Sequence, residues 1–491
     1  MKGLSTKVKE KRLPLILTLF LWLLSFYTEG FYFTVARGSH LLTYCACKVV
    51  LFLGVFLFLE FLIRAIRTPE DPSRVILAYS GIYLILLLGW LFKMMPHTLQ
   101  GDELNIYNHG KELDAMAYWF NYFTGYYWIS CSMLFPFQLG AVFVKVVLHA
   151  LVIGYCTYRL SKAASPRAAL LLFLPYLQPF VLDLGCSAHR LPIYGILYLF
   201  LGAKLFFDHK EGKSMDRKTL VLLSVVIAIL SFWRTEGLYL TVAGPILVLV
   251  AYRVPVKGQL SRLWKPALCY FLILVLVALP QLAAYMDKNK PSVIVRSEPL
   301  CGYALANMLR NGLEEGDIPP EEYAAIDRYI SFRDLEEFNQ TNGDRAYAHA
   351  MVMSLASGDA DFEVREAFCD AVKSLILRHP FIYLRSQWNS FRYTSSQYDY
   401  LRGKTEYLRY FSYRQWIPLI LCLCFLVYGL LRKKYVTLLL SLCAVGNWAL
   451  VTALMPAAYA KYFYVDYLLG YFFLFVGLAM LLSGKRKNCY E

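Results

Sequence analysis

Apolar runs recur along the chain at residues 13–26, 49–63, 75–95, 267–279 and 416–431, separated by short charged connections. With their flanks, several reach the ~20 residues that cross a bilayer as a helix. They are too many and too long to be the core helices of one soluble domain. The pattern predicts an all-α polytopic membrane protein. Only residues 287–415 form a long polar stretch, and its periodicity predicts helices: Pro319-Pro320-Glu321-Glu322 starts one, with Ala324, Ile326, Ile330 and Leu335 as its apolar contacts. Residues 362–377 form another, ended at His379-Pro380.

Charge sets the expected orientation, because Lys and Arg in short loops stay cytoplasmic. Basic short segments lie at the N-terminus, 64–74, 159–167, 208–218, 252–265, 432–434 and 485–487. Placing all of them inside requires an even number of crossings between neighbours. That parity gives about twelve transmembrane helices with both termini cytoplasmic, the first apolar run being read as a retained helix. The expected organisation is N-terminal helices over 1–95, an extracytosolic acidic and amphipathic loop over 96–136, helices over 137–286, an extracytosolic helical domain over 287–415 and C-terminal helices over 416–491.

Two hairpins are too short for a full crossing. Residues 219–250 are interrupted by Trp233-Arg234-Thr235-Glu236-Gly237, leaving arms of 13–14 residues. Each arm extends only ~20 Å, against ~30 Å of hydrocarbon. Residues 168–207 repeat the pattern around a turn that contains Asp183, His189 and Arg190. Charges recessed at that depth need partners or a polar cavity. The pair of turns predicts a cavity lined by Arg190 and Arg234, with His189 beside them. A last turn carries Lys461 among Tyr459, Tyr462 and Tyr464, either as an anion contact or as an interfacial anchor.

Asp102 and Glu103 follow the run at 75–95 and precede an aromatic stretch from Tyr107 to Trp128 of the kind that lies flat at a headgroup surface. Such a pair is also what a helix N-terminus favours. Set beside recessed arginines, it suggests a general base next to a phosphate site: a carboxylate in a partly dry site, beside a second carboxylate, gains basicity. Arg190, Arg234, Lys461 and His189 are the candidate lipid-phosphate and donor contacts. Glu236, Asp183, Tyr107 and His109 take acceptor-side or structural roles. Asp102, Glu103 and His109 form a candidate set for a divalent metal.

Composition narrows the classes. Hydrophobic residues make up 58% and charged residues 17% of the 491, and the net charge is +15. The long polar stretch holds 19 of the 35 acidic residues and 16 of the 50 basic ones, so the positive excess belongs to the short loops. It reports orientation and anionic membrane lipid, and no nucleic-acid module accompanies it. No phosphate-binding glycine loop, dinucleotide fingerprint or His-Glu-x-x-His motif occurs. The 12 cysteines are scattered and read as small apolar residues, with Cys301 and Cys369 together in the polar domain.

In this organisation, with Asp102-Glu103 in an early outer loop, amphipathic residues after it and a later outer domain, the chain resembles the GT-C superfamily of integral membrane glycosyltransferases. The likeness is to bacterial members related to protein mannosyltransferases and to the aminoarabinose transferase of lipid A. It spans about residues 75–285 and departs from the family in carrying two spans ahead of the one leading to Asp102. The resemblance implies transfer of a hexosyl or pentosyl unit from a polyprenyl-phosphate sugar to a glycan, lipid or protein acceptor at the extracytosolic face of a bacterial plasma membrane. Asp102 is then the base and Glu103 its assistant or a metal contact. A transporter or flippase for lipid-linked glycan is the competing expectation.

Overall fold

A computed structural model describes residues 2–94, 102–115, 122–253, 260–286, 292–343, 347, 355–358, 360–396, 413–455 and 457–484. All regular elements among them are helical. The first part of the chain forms α1 (Lys2–Thr28), α2 (Leu41–Arg67), α3 (Pro72–Met94), α4 (Asp102–Lys111), α5 (Tyr122–Leu134) and α6 (Gly140–Ala163). Short helices α7 (Pro166–Ala169), α8 (Phe173–Tyr176) and α9 (Pro179–Cys186) follow, then α10 (Leu191–Lys210), α11 (Arg217–Trp233), α12 (Leu240–Ala251) and α13 (Leu260–Met286). After the polar domain come α19 (Trp416–Leu431), α20 (Tyr435–Leu454) and α21 (Tyr464–Leu482).

Among the described residues seven helices are long and apolar enough to cross a membrane, or eight if the stretch from Pro166 to Cys186, bent by 73°, counts as one. These helices make the chain an integral membrane protein, and among the described residues they account for seven or eight of the expected twelve spans at full length. The apolar stretches Thr235–Ala251, Trp264–Leu279 and Trp416–Leu431 are shorter. Each falls below the ~20 residues of a straight crossing. The bend has a local cause. Pro175 and Pro179 lack the N–H that would continue the ladder, and Pro179 restarts the helix at its first position.

Burial is graded across the bundle. In α2 only 11% of the apolar window is buried, and Leu42 and Leu57 are exposed, as on a lipid-facing surface. In α10 the share is 83%, so this helix is the axis of the fold. It packs against α6, α11, α12, α20 and α21. At the α3–α6 contact a Cβ on Gly154 would collide with Ser80 and approach its backbone nitrogen to 2.7 Å. That glycine sets the distance between the two helices, as small residues do in membrane bundles.

The polar domain contains α14 (Ser292–Arg310), α15 (Pro320–Asp327), α16 (Phe332–Asn342), α17 (Phe362–Arg378) and α18 (Pro380–Ser396). Pro320 opens α15, and the Ser331 hydroxyl caps α16 by accepting the Asp334 N–H. Leu305, Met308, Ile326, Ile330, Leu335, Phe368 and Leu375 close a separate apolar core. Ala324, expected among the contacts, is not in it. Cys301 and Cys369 are neighbours in this core as free thiols, with Cys301 Sγ 3.8 Å from the Cys369 carbonyl oxygen. The domain docks on the bundle through Phe391 against Trp448 and Phe463, and through the Ala458 N–H, which donates to Tyr347 O at 2.8 Å.

Candidate functional site

The acidic pair opens α4, with Asp102 as its first residue. The side chain of Asp102 lies outside the described residues. Glu103 turns into the bundle and is 5% exposed. Its Oε1 lies 2.8 Å from His189 Nδ1, which joins α4 to the turn between α9 and α10.

That turn is built by the sequence around it. Ser187 is extended and ends α9, while Pro192 lies in the first turn of α10. Between them, Ser187 to His189 lie outside both helices. Lys145 of α6 reaches across and donates to the carbonyls of Leu184 at 3.3 Å, His189 at 3.1 Å and Ser187. A buried ammonium at the carboxyl end of a short helix is favoured by the helix dipole and by those orphan carbonyls. One turn along α6, His149 lies against Gly185, where an added Cβ would be 2.8 Å from its Nδ1.

The electrostatics of the pair fix its protonation. Burial pushes the Glu103 carboxyl up, but the His189 hydrogen bond and the charges of Lys461 and Arg190 outweigh it and hold the group at about 2. Burial, and next the charge of Lys461, push the His189 imidazole below its usual value despite Glu103. At neutral pH Glu103 is therefore ionised and His189 neutral. The hydrogen bond places the proton on Nδ1 and leaves the lone pair on Nε2. The His189 hydrogen bond and the nearby cations thus keep the Glu103 carboxyl ionised.

The other two turns meet this one. Trp233 Nε1 donates to the Arg190 carbonyl at 3.3 Å, so the two short hairpins touch where both recess. Arg234 donates through Nε to Glu236, and its guanidinium lies 5.5 Å from the centre of the Tyr462 ring. The Lys461 ammonium is 4.9 Å from the Tyr459 ring and 5.9 Å from that of Tyr462. Arg190, Arg234, Lys461, His189 and Glu103 thus gather at one end of the bundle. Glu236 closes its own turn with Arg234.

Three other candidates make contacts within the scaffold. Asp183 accepts from Trp90 Nε1 at 3.0 Å and from the Tyr413 hydroxyl at 2.9 Å, tying α9 to α3 and to the start of the last helices. Tyr107 packs 5.3 Å from the Tyr32 ring, and its carbonyl accepts the Tyr32 hydroxyl. His109 Nδ1 is 3.1 Å from Asp114. With Glu103 committed to His189 and His109 to Asp114, those two members of the candidate metal set do not converge. Among the described residues no group of three or more His, Cys, Asp or Glu side chains could hold a metal ion.

Sequence reasoning missed Lys145 and His149. Their signal was present, since two basic side chains four residues apart in an apolar run share one helix face. It also missed Glu29, a fully buried carboxylate held by Lys48 at 2.6 Å, Arg37 at 2.8 Å and the Tyr44 hydroxyl at 2.8 Å. This cluster closes the first hairpin, whose Thr34 N–H donates to Lys111 O at 3.0 Å and so seats the far end of α4. Comparison with family models, characterised proteins and solved structures found no match for this chain.

Proposed function

We propose that this chain is a GT-C-type membrane glycosyltransferase that moves a sugar from a polyprenyl-phosphate donor to an acceptor hydroxyl. The observation that carries the reading is the buried Glu103–His189 pair at one end of the bundle, with Arg190 and Lys461 in its field and the Arg234 turn against it. A site with an excess of cations, recessed among apolar helices, suits a lipid-borne phosphate. Arginine and lysine meet the charge that grows on the leaving phosphate as the sugar C1–O bond breaks.

In this reading Asp102 takes the proton of the acceptor hydroxyl as its oxygen bonds to C1. Glu103 and His189 position it by pinning α4 to the α9–α10 turn, and His189 Nε2 offers an acceptor towards the same space. The polar domain docks against the turn at 457–463 and supplies the surface for a glycan, lipid or protein acceptor. Twelve crossings with both termini cytoplasmic place the site on the extracytosolic face of a bacterial plasma membrane.

The test is turnover by the purified protein in lipid with a panel of labelled polyprenyl-phosphate sugars. Wild type is expected to transfer or hydrolyse a donor, and Asp102→Asn to lose about 100-fold or more of that rate. Movement of lipid-linked glycan across the bilayer without bond cleavage, equal in both forms, would replace this reading with the transporter.

A further inference from the structure

Two of the basic loops meet at the opposite end of α10. Arg190 and His209 bracket that helix, so the second location is about 28 Å from the first. There α10, α12 and α20 enclose a cleft of about 410 Å³. His209, Arg253, Lys433, Lys434, Tyr435 and Thr437 line it, and among the described residues no carboxylate does. Phe206, Val250 and Val436 supply its apolar walls.

Its polar groups are unspent. Among the described residues no carboxylate pairs with Arg253, Lys433 or Lys434. The neighbouring acid Asp208 is already held by Arg159 at 2.8 Å, Lys204 at 2.7 Å and the Tyr252 hydroxyl at 2.5 Å. Among the described residues His209 spends Nδ1 alone, on the Ala251 carbonyl at 2.7 Å. Thr437 is 2% exposed, lines the cleft, and its hydroxyl has no partner among the described residues. It belongs to the first turn of α20, where Lys434 provides no side-chain cap. The first N–H groups of a helix of that length attract an anion.

The backbone presents the cations at a cost. Arg253 (φ 51°) and Lys433 (φ 54°) are left-handed residues just past the ends of α12 and α19. Glycine fills such positions without strain. Here both carry long basic side chains that line one cleft. Leu430 and Leu431, which end α19 just ahead of Lys433, are exposed.

We propose that this cleft binds the phosphate of an anionic phospholipid, with Arg253, Lys433 and Lys434 as charge partners and Thr437 with the first-turn amides of α20 as hydrogen-bond donors. The exposed leucines receive the acyl chains, which favours a lipid over a free phosphate. Basic clefts between membrane helices are where acidic headgroups dock. The site is independent of the Glu103–His189 chemistry.

The experiment is lipid retention by native mass spectrometry, with thermal unfolding alongside, on the full chain in detergent titrated with phosphatidylglycerol, phosphatidylcholine or inorganic phosphate. Phosphatidylglycerol is expected to be retained and to raise the unfolding temperature. Lys433→Gln/Lys434→Gln should weaken retention about tenfold. Arg217→Gln/Lys218→Gln, which removes the same charge from the start of α11 at that end of the bundle, should leave it unchanged. Thr437→Val tests the cleft without altering charge and should weaken retention several-fold. Equal retention by all variants, or equal retention of phosphatidylcholine, would overturn the site. Displacement of the lipid by inorganic phosphate at matched concentration would overturn the lipid assignment in favour of a soluble phosphate.

Discussion

Glu103 shows how far residue identity alone can be read. The sequence placed a carboxylate pair beside candidate cations, and Glu103 does lie with His189, Arg190 and Lys461. The His189 hydrogen bond and the nearby cations hold it ionised, so it anchors α4 and sets the imidazole tautomer. Glu103→Gln removes a charge-assisted bond and leaves His189 with a weaker acceptor, an expected loss of about 2 kcal/mol in α4 docking. Hydrogen-exchange protection of the α4 amides reads this directly, and unchanged protection would contradict the anchoring role. The same contact carries a pH dependence. His189 sits below its unfolded value of ~6.5, so the unfolded chain takes up the extra proton first as pH falls through that value. Glu103 is held near 2, so its share is present above its unfolded value of ~4.3 and disappears only in strong acid. The change between pH 7 and pH 5 therefore belongs to His189 alone: α4 protection factors should fall over that range and recover on return.

At the scale of elements, periodicity located most helices but not their breaks. Runs of apolar residues read as spans, yet Pro175 and Pro179 split one of them and a 3-10 turn at Thr235–Tyr239 shortens another. Charge parity counts crossings and is blind to such breaks, so it does not tell a full-length helix from a shorter or bent one. Lys145 escaped notice for a related reason: its partners are carbonyls of a turn 39 to 44 residues away, and backbone acceptors leave no mark on sequence. Close helix contacts are equally hidden until the glycines are seen in place. Gly154→Leu should force α3 from α6 at Ser80, an overpacking cost of about 1–3 kcal/mol. A lowered unfolding temperature in detergent checks this; a temperature equal to that of wild type would show that the contact yields freely.

Over the whole molecule, α10 organises two chemically distinct ends. Its start carries His189 and Arg190 with the acidic helix α4, and its finish carries the basic cleft around Lys433 and Thr437. The all-helical membrane architecture and the separate helical polar domain were legible in sequence, because long apolar runs and a single polar stretch leave few alternatives. The meeting of three distant turns was legible only in part. Matching short hairpins announced that two turns recess, but the Trp233–Arg190 contact that joins them depends on packing between elements. The central claim is that these turns receive the donor's phosphate. Its most direct test is photo-crosslinking with a polyprenyl phosphate carrying a photoreactive group beside the phosphate, mapped by peptide mass spectrometry. Adducts on residues 187–190, 233–237 and 457–463, competed by unlabelled donor, are the predicted result. Competed adducts confined to other surfaces, with none on these turns, would contradict the claim.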